Sequence, residues 1–156
     1  MRKRLITPIP EAGTPHDDGR LDLDREAMIE VTSENKDYPV EAALVVRETR
    51  GWRAAVPALT VRLIFDKPQR LTRISLVFEE TDTELTQEFF LRWSGDGGHS
   101  FREIVRQQWN FSPPNSILEV EEYRVELSDV TVLELIIVPD ISRGRARASL
   151  RSLRLS

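Results

Sequence analysis

The feature that most constrains this chain is an alternation of apolar and polar side chains with a period of two. Every second residue is large and apolar between residues 59 and 66, and the alternation returns at Ile74, Leu76 and Phe78. Successive side chains of a β-strand point to opposite faces, so this pattern is typical of strands with one buried face. No segment of ten residues shows the 3.6-residue period of a helix. We therefore predict a chain built from short strands.

Turn signals separate further strand-like segments. Glycines at 95, 97 and 98 predict a hairpin, because glycine adopts positive φ without strain. The break at residues 67–69 predicts a strand end, and residues 109–116, which contain two prolines, predict a loop. The slip in phase between Val120 and Tyr123 predicts a bulge. The remaining predictions are strands over residues 28–33, 87–94, 101–108, 118–127 and 130–138, and either one helical turn or a turn-rich link over 40–46.

These segments predict an all-β fold, an eight-stranded antiparallel jelly-roll sandwich. The length of 156 residues suits one domain. Prolines, glycines and acidic residues interrupt residues 1–25, which we expect to form an irregular arm before a domain at residues 26–156.

Composition excludes several classes of site. The chain has no cysteine and only two histidines, His16 and His99, so thiolate metal sites, disulfides and histidine-rich metal sites are not expected. A net charge of −4 gives no reason to bind nucleic acid or an anionic membrane. No apolar run approaches a membrane span, and no apolar signal segment follows the basic N-terminus. We therefore expect a cytoplasmic protein.

The order of several short motifs resembles the discoidin, or coagulation-factor type C, domain of the galactose-binding-like group. The resemblance covers about residues 28–156 and is most specific at the hairpin that follows Trp93. The matching stretches are Ala42-Ala43, Gly51-Trp52, the proline turn at 63–69 leading into 71–74, the stretch 93–101, and the end of the chain at 148–155. The stretch 106–113 is similar to a feature of a bacterial subgroup.

The resemblance implies a jelly roll that binds ligands at loops of one end of the barrel. Many members bind sugars, some bind phospholipid surfaces, and some intracellular relatives bind proteins. Isolated domains are rarely enzymes. Members with a structural calcium ion carry Asp-Gly where this chain has Leu44-Val45. Calcium is therefore not favoured, and we expect no metal and no cofactor.

The candidate ligand-binding residues fall into two groups. Trp109, Asn110, Arg106 and Gln108 lie around the predicted loop and combine an aromatic surface with polar donors, which suits a sugar. The alternative is that Trp109 caps the open end of the barrel as part of the core.

The second group follows from the expected position of the binding loops. Tyr38 lies in the first long loop, and Arg50 and Arg53 flank Trp52, a residue expected in the core.

Two functions remain open. The first is a non-catalytic module that binds carbohydrate, and the second is an intracellular protein-interaction or scaffold domain on the same fold. Paired acids such as Glu121-Glu122 lie in polar stretches with nothing to place them in a catalytic arrangement, so we do not expect an enzyme. The arginines after residue 142 are expected to pair with acids and not with nucleic acid.

Overall fold

A computed structural model describes residues 2–3, 21–31, 41–44, 52–53, 59–141 and 149–156 of the chain. Within these ranges the chain forms nine strands and two single helical turns. The strands are β1 (Arg2–Lys3), β2 (Ala27–Val31), β3 (Trp52–Arg53), β4 (Leu59–Glu79), β5 (Leu85–Ser94), β6 (Arg102–Phe111), β7 (Leu118–Val138), β8 (Ser149–Leu150) and β9 (Ser152–Leu155). The helical turns are α1 (Leu23–Glu26) and α2 (Glu41–Leu44).

The strands pair in the order β1-β2-β4-β7-β5-β6, with β9 also paired to β4. All these pairs are antiparallel except β1 with β2. A separate antiparallel pair joins β3 to β8. The predicted all-β antiparallel fold is confirmed, and the predicted helical turn within residues 40–46 is present as α2.

The two longest strands, β4 and β7, each contribute to both layers of the sandwich. Residues 59–64 of β4 pair with β2 and with residues 132–137 of β7, whereas residues 69–79 pair with β9 and with residues 118–130. The pairing register shifts between Ile64 and Arg73, and Asp129 of β7 has a φ of 57°. Bulges of this kind bend and twist a strand, which lets one strand turn from one sheet into the next.

Two predictions about these strands are wrong. Residues 67–69 do not end a strand but form the irregular bend within β4. The predicted bulge between Val120 and Tyr123 is also absent, since these residues pair in regular register with Val77 and Ile74. The irregular part of β7 lies after Arg124. Chain continuity through the bends merges four predicted strands into β4 and β7, whereas the short strands β1 and β3 and the division of the chain end into β8 and β9 bring the described strands to nine.

The core lies between the layers and follows the predicted alternation. The inward residues Val61, Leu63 and Phe65 of β4 are buried, and further along the strand the Phe78 ring packs against Phe89 of β5 at 4.9 Å between centroids. Fully burying one such side chain contributes about 1.5–3 kcal/mol to folding.

Part of the expected N-terminal arm packs with the domain. Arg2–Lys3 pairs with Met28 and Ile29, and Leu23 is buried in the core. The Leu21 amide donates to the Leu155 carbonyl at 2.8 Å. The irregular arm expected over residues 1–25 therefore does not extend through residues 21–25. The rest of the arm, apart from β1, lies outside the described residues.

The predicted hairpin between β5 and β6 is confirmed. Gly97 and Gly98 have φ values of 78° and 96°. The Asp96 carboxylate accepts hydrogen bonds from the hydroxyls of Ser94 and Ser100 at 2.6 Å. Hydrogen bonds from Ser100 and Ser94 lower the Asp96 pKa, so the turn is held by an ionised carboxylate. Across the described ranges, the helical turns are too short and polar to cross a membrane.

Candidate functional site

Strand β6 carries the first group of predicted site residues, and its position corrects one prediction. Trp109 and Asn110 were expected in a loop, but they lie in β6, opposite Gln87 and Thr86 of β5. The connection to β7 begins only at Ser112. An extended strand sends successive side chains to opposite faces, so these residues cannot act as one loop surface.

The alternation divides the predicted group between two faces. Arg106, Gln108 and Asn110 point outward and are exposed, whereas Trp109 points inward and packs against the core. One sugar cannot contact both faces of a strand. The ligand-binding role of these residues stays a prediction, and the structure places Trp109 on the face opposite Arg106, Gln108 and Asn110.

On the outer face, the predicted donors already have partners. The Arg106 Nη1 and Gln108 Nε2 atoms donate to the Glu88 carboxylate at 2.8 and 3.0 Å, and the Thr86 hydroxyl donates to Asn110 Oδ1 at 2.6 Å. The hydrogen bonds from Gln108 and Arg106 lower the Glu88 pKa. This face is a satisfied polar surface and offers few free donors to a ligand.

On the inner face, Trp109 and its cross-strand partner lack hydrogen bonds. The indole Nε1 of Trp109 is buried without a partner. Gln87, directly opposite in β5, is only 4% exposed, and its Nε2 also has no partner. Burying a polar group without a hydrogen bond costs about 1–3 kcal/mol, so such groups in a folded protein require an explanation.

The first part of β7 places further buried polar groups on its inner face. Glu119 is 1% exposed, and the polar group that interacts with its carboxyl is the neighbouring Glu121. The Tyr123 hydroxyl is also buried, and it too interacts with Glu121. The flanking Leu118 and Val120 are 50% and 64% exposed. Strand β7 therefore shows acids to the interior and apolar side chains to the surface at this end.

The Phe78–Phe89 contact shows that the two surfaces bearing these groups face each other across the core. Glu119 pairs in register with Phe78, whose ring packs against Phe89. Phe89 in turn pairs with Gln107 and lies on the same face of β5 as Gln87. We call the residues on these facing surfaces the inner polar cluster: Gln87, Gln107, Trp109, Glu119, Glu121 and Tyr123.

The inner polar cluster contains two acidic side chains, and its polar atoms have little access to solvent. Burial, followed by the negative charge of Glu121, raises the pKa of Glu119 to about 8. Burial and the same acids also raise the pKa of Tyr123. By strand alternation, the inward side chains of β5, β6, residues 71–79 of β4 and residues 118–127 of β7 include no lysine, arginine or histidine. At neutral pH, Glu119 therefore holds its proton, and among the described side chains of these inner faces none beside it is basic.

Gln87, Glu119 and Tyr123 were not among the residues predicted from the sequence. An inward position could have been predicted for Glu119, because it lies an even number of residues from Tyr123 and Val125 on the same strand. Both of those residues pack against the core. The apolar Leu118 and Val120 were instead expected to point inward, which led to the predicted change of phase before Tyr123.

A second charged row lies on the outer face of the first layer. Glu30, Arg62, Glu134 and Arg92 are neighbours across β2, β4, β7 and β5. Glu134 is 1% exposed and accepts from the Arg62 and Arg92 Nε atoms at 2.8 and 2.7 Å. The Arg92 guanidinium also lies 4.2 Å from the ring centroid of Phe101. We call these four charged residues the charge ladder.

The second predicted group and the calcium site lie mostly outside the described residues. Tyr38 and Arg50 are outside them, and only the backbone of Arg53 is described, in β3 opposite Ser149. Their ligand-binding roles stay predictions. Leu44 is a buried core residue, and the described residues hold no group of three or more acids and histidines placed for a metal.

Comparison with known proteins rests on structure. No family model matches the chain, and no curated protein matches its sequence. A family 32 carbohydrate-binding module (CBM) of NanJ from C. perfringens, in complex with galactose, superimposes with a TM-score of 0.60 at 12% identity, over 83% of this chain and 92% of that one. The fold is that of the family 32 modules.

Two further solved modules support this assignment. CBM32-3 from a family 31 glycoside hydrolase of Clostridium perfringens gives a TM-score of 0.62 at 18% identity, covering 87% of this chain and 93% of the module. The CBM32 of AlyQ, in complex with 4,5-unsaturated mannuronic acid, gives 0.60 at 10% identity, with coverages of 82% and 92%. The expected galactose-binding-like fold is thus confirmed across nearly the whole of each module.

Proposed function

We propose that the chain is a non-catalytic carbohydrate-binding module of the discoidin type, and that the inner polar cluster binds the sugar. The observation that carries this proposal is the buried Gln87 Nε2 and Trp109 Nε1 atoms, which have no hydrogen-bond partner among the described residues, on a surface that faces the buried acid Glu119 across the core. Leaving such groups unpaired opposes folding, and a polar ligand with many hydroxyls would satisfy them.

A sugar matches the mixture of groups in the cluster. Each hydroxyl both donates and accepts, so it can serve the Gln87 and Trp109 donors and the Glu119 oxygens at once. The aromatic rings of Trp109 and Tyr123 can pack against the C–H groups of a pyranose. With few aromatic contacts, we expect millimolar affinity, about −4 kcal/mol.

The structural neighbours support the same class of ligand. The NanJ module is in complex with galactose and the AlyQ module with an unsaturated mannuronic acid. The chain spans more than nine-tenths of each of these modules.

Calorimetric titration with a panel of monosaccharides tests the proposal. Trp109→Phe and Tyr123→Phe remove one polar group each and keep an aromatic ring, so each should weaken binding about 5- to 20-fold, the equivalent of about 1–2 kcal/mol. Gln108→Ala, on the outer face of the same strand, is the matched control and should bind as the unmodified chain does. Equal loss in Gln108→Ala, or no effect of the two inner variants, would place the sugar elsewhere.

A protein-interaction domain is the second candidate function. It is favoured by the exposed Leu118 and Val120 on β7, a strand whose first part pairs only with β4 among the described residues. A protein partner that adds to this edge would be lost in Val120→Asp and retained in Trp109→Phe. A sugar bound at the inner polar cluster would give the opposite result. The cytoplasmic location stays a prediction.

A further inference from the structure

We propose that the first part of β7 is a self-association edge, at which two copies of this chain pair antiparallel and join their sheets into one. The first part of β7 is defined as residues 118–127, which pair with β4 along one side. The strand that adds to the other side belongs to a second copy of this chain. This inference goes beyond the proposed carbohydrate binding and does not depend on it.

The first part of β7 is open to solvent along its length. Its outward side chains Leu118 and Val120 are 50% and 64% exposed, and among the described residues they are two of the three large apolar side chains that are exposed. The inward side chains of residues 121–127 are partly exposed as well, whereas Ile74, which lies opposite Tyr123 in β4, is fully buried. Even the core-facing side of this strand therefore reaches solvent, as it does in the outermost strand of a sheet.

The backbone of this edge is suited to strand addition. An outermost strand presents N–H and C=O groups on which another strand can pair, and proteins commonly block such edges with lysine, proline or a bulge. Residues 118–127 contain neither lysine nor proline. From Leu118 to Arg124 the register with β4 is regular, so no bulge interrupts this part of the edge. The edge therefore lacks three of the usual obstacles to pairing.

The charges along the exposed face select one antiparallel register. The outward side chains beyond Val120 are Glu122, Arg124 and Glu126, so their charges alternate in sign. When two copies cross at Tyr123, Glu122 of each copy lies directly opposite Arg124 of the other, and twofold symmetry makes this pair occur twice. Opposite charges at directly facing positions stabilise a pair of strands.

The two nearest registers are less favourable. A crossing at Glu122 places that carboxylate against its own copy, and a crossing at Arg124 does the same to the guanidinium. Like charges directly opposite each other destabilise a pair of strands. The crossing at Tyr123 avoids both contacts.

Arg124 is the residue whose charge this pairing compensates. It lies opposite Arg73 of β4, and Arg73 already holds Glu122 at 3.0 Å. Arg124 itself makes no ion pair with a described residue. In the symmetric pairing it faces Glu122 of the second copy, so each of these carboxylates lies between two guanidinium groups.

Strand β6, which ends the path of paired strands, differs on this point. Its outward Arg106 and Gln108 already donate to Glu88 of β5 at 2.8 and 3.0 Å. The polar side chains at these positions are satisfied within the chain, so the charge pattern favours β7 over β6 as the interface.

Sedimentation velocity over a concentration series tests the inference. We expect a monomer at low concentration and a dimer as the concentration rises through about 100 μM, because an interface of one strand is small. Arg124→Glu places an acid against Glu122 of the other copy and should weaken dimerisation about 10-fold or more. Glu122→Arg places two guanidinium groups opposite each other and should weaken it to a similar extent.

A mixture of the two variants tests the register directly. In a pair formed by one copy of Arg124→Glu and one of Glu122→Arg, both facing positions again carry opposite charges. The equimolar mixture should therefore dimerise as the unmodified chain does, although neither variant does so alone. Arg102→Glu reverses a charge at an exposed position of β6 and is the matched control, which should dimerise normally. All three positions are exposed, and a melting curve confirms that each variant is folded.

Several outcomes would overturn the inference. One is a chain that remains monomeric up to about 1 mM. A dimer that survives Arg124→Glu, or a mixture that fails to associate, would show that another surface or register joins the copies. Loss of the dimer in Arg102→Glu would place the interface at β6 and likewise overturn the inference. The sugar titration is a separate measurement, so none of these outcomes decides the proposed function.

Discussion

Strand β7 carries two buried glutamates in opposite circumstances. Glu134 and Glu119 are each 1% exposed. Glu134 lies in the first layer, where Arg62 and Arg92 hold its carboxylate from both sides. Glu119 lies in the second layer, where Phe78 is its cross-strand neighbour and no described basic side chain faces it.

The difference lies in whether nearby basic groups compensate the buried acid. A buried charge is tolerated when nearby groups compensate it, as the two arginines do for Glu134. No described basic side chain compensates Glu119, which instead keeps its proton, so it lowers the stability of the fold at high pH. Under the proposed function, a sugar hydroxyl hydrogen-bonds to this carboxyl group.

The largest expected effect comes from removing the paired acid. Glu134→Ala leaves Arg62 and Arg92 without their common partner in a partly buried row, and we expect the free energy of unfolding to fall by about 3 kcal/mol. Denaturant titration measures it. Glu30→Ala, at the exposed end of the charge ladder, is the control and should cost less than about 1 kcal/mol. Similar losses in the free energy of unfolding for Glu134→Ala and Glu30→Ala would show that Glu134 contributes no more to the charge ladder than its exposed end does.

Removing the charge of Glu119 should raise the free energy of unfolding, whereas removing Glu134 should lower it. Below about pH 4.5, Glu119 holds its proton in the folded and unfolded states, and between there and about pH 8 only the unfolded chain releases it. The free energy of unfolding therefore falls as pH rises through this window and levels off above it. Glu119→Gln should remove this contribution and stabilise the protein by about 2 kcal/mol at pH 8, with little change at pH 4. Thermal melts across this range would contradict the assignment if both proteins showed the same slope.

A cation introduced into the inner polar cluster should give Glu119 a basic partner, as Glu134 already has in Arg62 and Arg92. Gln107 is partly exposed and lies opposite Phe89, so Gln107→Lys brings an ammonium toward Glu119 and Glu121. We expect it to lower the Glu119 pKa and to raise stability at pH 8 by about 1 kcal/mol. Gln107→Met, which has a similar length and no charge, is the control. A carboxyl titration followed by nuclear magnetic resonance measures the pKa, and an unchanged value would show that the amine does not reach the acids.

The smallest effect is expected for an acid at the surface of the same strand. Glu122 pairs with Arg73 at 3.0 Å in an exposed position. Glu122→Gln should change the free energy of unfolding by less than about 0.5 kcal/mol, and added salt should reduce the effect further. A loss comparable to that of Glu134→Ala would mean that exposure does not distinguish the acids of β7.

The sequence predicted the class of fold because strand alternation is a local property. Val61, Leu63 and Phe65 are inward in the structure, and the glycines before β6 form the predicted hairpin. The strand ends were less predictable. A proline at 68 signals a break, but register shifts with a partner strand let β4 continue through it.

The site was predicted less well because it depends on contacts between distant strands. Trp109 was predicted as a site residue together with Arg106 and Gln108. Strand alternation places those two side chains on the other face of β6. Nothing local to Glu119 shows that Phe78 and Phe89 enclose it, since that contact joins β4 to β5 across the sandwich. That no described basic side chain faces Glu119 likewise follows only from the assembled sheets.

The passage of β4 and β7 through both layers has a consequence for how the protein comes apart. A sandwich whose sheets are separate can lose one sheet before the other. Here each layer is continued covalently into its neighbour by two long strands, so local opening in one layer disturbs the pairing of the other. Amide hydrogen exchange should therefore show the backbones at Glu119 and Glu134 becoming exposed together, in a single cooperative unit. The inner polar cluster is thus as long-lived as the core that surrounds it.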